Sequence, residues 1–176
     1  MDAKIKKLRD YKEMWLLFCF GGWIYESIWV SMIEQNKGFV NRGFLFGPWI
    51  PIYGFGMFII IPVIKKLKLK SIPSIFCLGA VLSATAELIG SYFVDIFIGK
   101  PLWNYSTYFG NFEGRIAVKP ALTFGFLTVL GYFVAMPKLK EFQKNHDTLL
   151  RTIVSFMLSL LFIADFAARF FVGSNM

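Results

Sequence analysis

Residues 74–98 read SIFCLGAVLSATAELIGSYFVDIFI, an apolar run that carries two acidic residues, Glu87 and Asp95. About 20 mainly apolar residues suffice for a helix to cross the hydrocarbon of a bilayer, so this run spans with room to tilt. Gly79, Ser83, Glu87 and Gly90 recur at helical spacing on one face. Small residues in that register let helices approach closely, so this face turns inward and takes the glutamate with it.

Four further runs are apolar enough to span or nearly so: 14–33, 48–64, 116–136 and 149–172. The run 48–64 is short and contains Pro48, Pro51 and Pro62, so an irregular start is expected. The fold class that follows is an all-α integral membrane protein, a bundle of about five transmembrane helices with irregular outward-facing loops. The chain divides into a basic cytoplasmic tail (1–13), a four-helix membrane core (14–136), a cytoplasmic loop (137–148) and a fifth helix with an outer C-terminus (149–176).

Composition agrees. The 176 residues are 56% hydrophobic, with 21 phenylalanines, against about 45–50% apolar for soluble domains. The net charge of +8 does not point to nucleic acid, because the cations flank the apolar runs as a bilayer requires. Counted through the tail and the four loops, Lys and Arg number five, two, four, three and four. That alternation predicts a cytoplasmic N-terminus and, after five spans, an outside C-terminus. Cys19 and Cys77 lie inside apolar runs and read as core residues. His146 is the only histidine; no metal site and no cofactor are expected.

Charges inside spans cost at least about 2.5–3.5 kcal/mol at mid-bilayer, so they pair, face the interior or line a watery cavity. Glu26 and Glu87 fall in the half of the membrane reached from the outer loops that carry Arg42 and Arg115. These four charges, with Asn41, Tyr53, Trp103, Asn104 and Tyr105, are the candidate pocket residues; interhelical salt bridges that only brace the bundle are the alternative. Asp165 and Arg169 are four apart with the acid first, the favourable order for a local ion pair. Asp95 reads as a helix-end residue. The two acid–arginine–proline successions, Glu26–Arg42–Pro48 and Glu87–Arg115–Pro120, raise a parallel structural repeat.

Between the first two helices, residues 41–56 read NRGFLFGPWIPIYGFG. Gly43, Gly47, Pro48, Pro51, Gly54 and Gly56 are the expected structural-turn residues. Irregular backbone at membrane depth survives only where protein or water covers it. The amides freed around Gly43–Gly47 form an expected anion cradle, with Arg42 beside it.

Taken together, GGWIYES (21–27), FVNRGFLFGPWIPIYGFG (39–56), the glutamate of the third helix, WNYS (103–106) and GRI (114–116) resemble the ABC-transporter type IV family, also called the CmpB-like permeases, to which the TMEM229-type proteins are similar. The resemblance covers roughly Trp15 to Tyr132. Two departures stand out: Asn104 replaces the aspartate of the family's WDYS, and Phe124-Gly125 replaces its Trp-Gly pair. The resemblance implies transport. No GxxxxGK[ST] phosphate loop is present, so an ATPase would be a separate protein.

Three functions are open at this point. The first is a permease subunit or small transporter whose outward-facing charged pocket binds a small polar or ionic solute. The second is a membrane enzyme acting on a lipid or lipid-linked substrate at the outer face. The third is a non-catalytic assembly component. Expected partners are membrane lipids, a separate ATPase or other membrane subunit, or a second copy of the chain; nucleic acid is not among them.

Overall fold

A computed structural model describes residues 2–36 and 38–173; Lys37 of the first loop lies outside these. Among the described residues the chain is helical with no strand, apart from an isolated bridge between Phe112 and Ile116. The helices are α1 (Ala3–Ile24), α2 (Pro51–Lys66), α3 (Ile72–Ile98), α4 (Val118–Leu130), α5 (Met136–Asn145) and α6 (Leu149–Gly173). Two π segments extend them: Tyr25–Glu34 follows α1, and Gly131–Ala135 joins α4 to α5.

Among the described residues three helical stretches are long and apolar enough to cross a membrane: Ile72–Ile98, Val118–Asn145 and Leu149–Phe171. Only 11% of the apolar stretch of α6 is buried inside the protein. Its apolar side chains are therefore a surface for lipid rather than a water-soluble core. The other two expected spans have physical reasons for falling short as regular α-helices. The first changes to π geometry at Tyr25, and α2, at 16 residues, starts only at Pro51. Proline suits the first turn, where its missing N–H has no helical partner to lose.

The chain forms two compact units, residues 1–54 with 138–176, and residues 55–137. In the first, α1 packs on α6. Close approach explains two of its glycines. A Cβ at Gly22 would overlap the Tyr53 ring, and one at Gly54 would come within 2.6 Å of the Cys19 sulfur and the Trp15 indole.

The first unit also contains a charge network that sequence reading does not foresee. Arg9, only 4% exposed, reaches Asp147 at 2.8 Å, while Lys6 pairs with the same carboxylate. Arg151 bridges Asp10 and Glu13, each at 2.5 Å. Gln143 donates to the Asp10 carbonyl and to Glu13, both at 3.0 Å. His146 is exposed and stacks on Phe142.

In the second unit α3 and α4 pack intimately. A Cβ at Gly79 would stand 2.5 Å from Thr128, and one at Gly125 would stand 2.8 Å from the Phe76 carbonyl oxygen. The buried line of α3 is Ile75, Gly79, Glu87 and Ser91. Ile60, Ile64 and Ile75 form the core with Leu78, Leu82 and Val129 around them.

Candidate functional site

The first group of charges is held within the first unit by the π segment. There the backbone bonds five residues back, as from Gln35 N–H to the Val30 carbonyl. The Ser31 hydroxyl likewise donates to the Glu26 carbonyl. Such wide turns recur at functional sites. Glu26 receives Arg42 Nε at 3.1 Å on one oxygen and the Tyr53 hydroxyl at 2.8 Å on the other. Ser27, fully buried, accepts the Arg42 backbone N–H at 3.0 Å, and the Arg42 guanidinium also donates to Gln35. Asn41 accepts from the Trp23 indole and donates to the Phe46 carbonyl, both at 2.6 Å.

The 41–47 loop does cradle an anion, and that anion belongs to the chain itself. The amides of Phe46 and Gly47 donate to the two oxygens of Asp165, at 3.0 and 2.8 Å. Successive amides that converge on one carboxylate make an anion-binding concavity. This corrects the local pairing expected for Asp165 and Arg169. The backbone amides are fixed donors, whereas Arg169 is drawn over the rings of Phe44 and Phe46, 5.0 and 5.1 Å from their centres. Gly43 takes a positive φ of 109° in the same loop, and Gly56 has nothing within 4 Å of a notional Cβ. Pro48 lies in the non-helical stretch that precedes α2.

The second group lies in the second unit. Glu87, 4% exposed, accepts the Tyr105 hydroxyl at 2.8 Å. Arg115 pairs with Asp95 at 2.6 Å and Glu113 at 3.3 Å, donates to the Ser91 hydroxyl at 3.2 Å and lies 4.2 Å from the Tyr92 ring centre. The hydrogen bond to Asp95 raises the Arg115 pKa above its ordinary value. Asp95, expected to be a helix-end residue, is therefore the principal partner of Arg115. Spacing alone could not reveal this, because the loop between them folds back through turns. Those turns put Glu113 and Gly114 at φ of 51° and 67°. Gly114 has no room for a side chain, since a Cβ there would stand 2.7 Å from Asn104 Oδ1.

Trp103 donates its indole N–H to the Arg115 carbonyl at 2.9 Å, and Asn104 Oδ1 accepts the Ser106 N–H at 2.8 Å. Aspartate makes the same turn, so Asn104 keeps the geometry while removing a charge. Within the second unit opens a cleft of about 160 Å³ that Ser91, Asp95, Trp103, Asn104, Glu113 and Arg115 help to line. Each of the two groups closes on partners in its own unit. Among the described residues no three of His, Cys, Asp and Glu cluster to hold a metal ion.

The family model described as "Putative ABC-transporter type IV" matches residues 14–170, through most of α6 as well as the segments that carry the resemblance. No curated protein and no solved structure matches the chain.

Proposed function

Because this chain belongs to that ABC-transporter type IV family, and so to a transporter-like class of membrane proteins, we propose that it is a permease subunit or small transporter whose solute site is the Arg115 cleft. The observation that supports this is the charge count at that cleft. Asp95 and Glu113 both pair with Arg115, so two carboxylates face one guanidinium and the local balance is negative. The solute this environment prefers is a small cation, an amine or ammonium group. The indole of Trp103 adds an aromatic wall of the kind that attracts cations. A volume of about 160 Å³ is below the range of about 300–1,000 Å³ for drug-sized ligands, which limits the solute to a few heavy atoms.

The Glu26 group supports a different role. Its carboxylate is already engaged by Arg42 and Tyr53, so it braces the turn between α1 and α2. Bracing and binding are thus divided between the two groups. An N-terminus in the cytoplasm and a C-terminus outside complete the reading, supported by the alternation of cations along the chain. A separate ATPase or other membrane subunit, or a second copy, would supply what five helices lack.

Thermal unfolding of the purified protein against a panel of small amines, carboxylates and inorganic phosphate tests the cleft. The expected result is stabilisation by an amine that disappears in Asp95→Asn and in Glu113→Gln. Stabilisation by anions in place of cations would overturn the assignment of charge. An amine effect unchanged in both variants would move the site elsewhere.

A further inference from the structure

The chain has five arginines, and four of them hold carboxylates: Arg9, Arg42, Arg115 and Arg151. Arg169 differs. Among the described residues it has no carboxylate within ion-pair distance, although Asp165 lies one helical turn before it. The amides of Phe46 and Gly47 hold Asp165 away. The Arg169 guanidinium lies over the rings of Phe44 and Phe46, and its Nε is buried without a hydrogen-bond partner. A buried donor left unmade is costly, and the Arg169 side chain is only partly buried, so an acceptor from outside the chain suits the accessible part of the guanidinium.

Depth says what kind of acceptor. From Leu149 to Arg169 is 20 residues of continuous helix, about 30 Å at 1.5 Å per residue. That equals the hydrocarbon thickness of a bilayer. With Leu149 at one boundary, Arg169 stands at the other, at the level of the lipid phosphates. Around it Phe166, Phe170 and Phe171 are exposed at the α6 surface, and Phe44 packs edge-on against Phe170. Rings of this kind lie along acyl chains, while the planar guanidinium matches phosphate oxygens in a two-pronged geometry.

We propose that Arg169, set over Phe44 and Phe46 and left unneutralised by the capture of Asp165, is a binding site for a phosphate-bearing anion presented as a lipid headgroup. The aromatic rings fix the guanidinium in place, which separates this site from an arginine that merely reaches the interface. The inference does not depend on the solute assigned to the Arg115 cleft.

Native mass spectrometry of the full chain in detergent, titrated with phosphatidylglycerol, tests it. The wild type is expected to retain one lipid that survives activation, and Arg169→Gln to lose it at least tenfold more readily. Arg169→Lys keeps the charge without the planar fork and is expected to fall between the two, which guards against a Gln variant that fails to fold. Inorganic phosphate supplies the second arm. If it stabilises the wild type but not Arg169→Gln, and no lipid is retained, the phosphate chemistry stands and the lipid source falls. Equal lipid retention by all three proteins, with no effect of inorganic phosphate, overturns the site.

Discussion

Asp147 shows how much of this molecule turns on which partner a charge finds. Its carboxylate takes Lys6 and Arg9 from the N-terminal helix, and the Lys6 hydrogen bond, followed by that of Arg9, lowers its pKa from 3.8 to about 2. A depressed carboxylate pKa means the fold prefers the ionised form. Its contribution is therefore complete above about pH 4 and disappears as pH falls through about 2. A spin label at Ala3 is expected to keep one mobility from pH 7 to pH 4 and to loosen between pH 4 and pH 2; loosening already at pH 5–6 would assign the tether to another group. The sequence displays Asp147 only as one acid among lysines, because its partners lie 138 and 141 positions away. Glu87 was legible by contrast: an acid among small residues at helical spacing has to face inward, and it does. The partner of Arg115 was not legible. Asp95 reaches it only because positive-φ turns at Glu113 and Gly114 bend the loop, and two residues of backbone decide what charge arithmetic cannot.

At the scale of helices, membrane packing depends on shape more than on hydrophobicity, because lipid is as apolar as leucine. The α3–α4 contact is the clearest case. Gly79 leaves room for Thr128, so Gly79→Ala places a methyl 2.5 Å from that side chain and is expected to cost about 1–3 kcal/mol. Gly56→Ala, with nothing within 4 Å, is expected to stay within about 0.5 kcal/mol. Thermal unfolding of the two variants in one detergent checks the contrast, and equal losses would mean that the α3–α4 approach is looser than described. Apolar run length announces these helices plainly. It does not announce the π segments at Tyr25–Glu34 and Gly131–Ala135, since hydrogen bonding five residues back leaves no mark on hydropathy. The Ser31 hydroxyl bonding to the Glu26 carbonyl is a local signal of the first, recognisable only once the register is known.

For the whole molecule, the ion pairs at residues 6–13 and 147–151 change what the lysine count means. Lys6, Arg9 and Arg151 are matched by Asp10, Glu13 and Asp147, so this network adds no net charge to its side of the membrane. The cations left over in the tail, the second loop and the fourth loop, Lys4, Lys7, Lys12, Lys65, Lys66, Lys68, Lys70, Lys138, Lys140 and Lys144, still outnumber the five of the other two loops. A C-terminal tag on intact cells is therefore expected to react with impermeant reagents, and an N-terminal tag to react only after permeabilisation. The reverse pattern would invert the topology. The division into residues 1–54 with 138–176 and residues 55–137 lies beyond any linear reading, because it joins the two ends of the chain across sequence that belongs elsewhere.

That joining has a cost in time during synthesis. The amide of Gly47 leaves the ribosome 118 residues before Asp165, the carboxylate it needs. At about 5–20 residues per second, the loop between the first two helices waits on the order of 6–24 s with two donors unanswered. Until Asp165 arrives, those two amides need another acceptor, such as water. Helix α6 is thus the one that finishes the loop between α1 and α2, and a chain cut before residue 165 would carry that loop permanently incomplete.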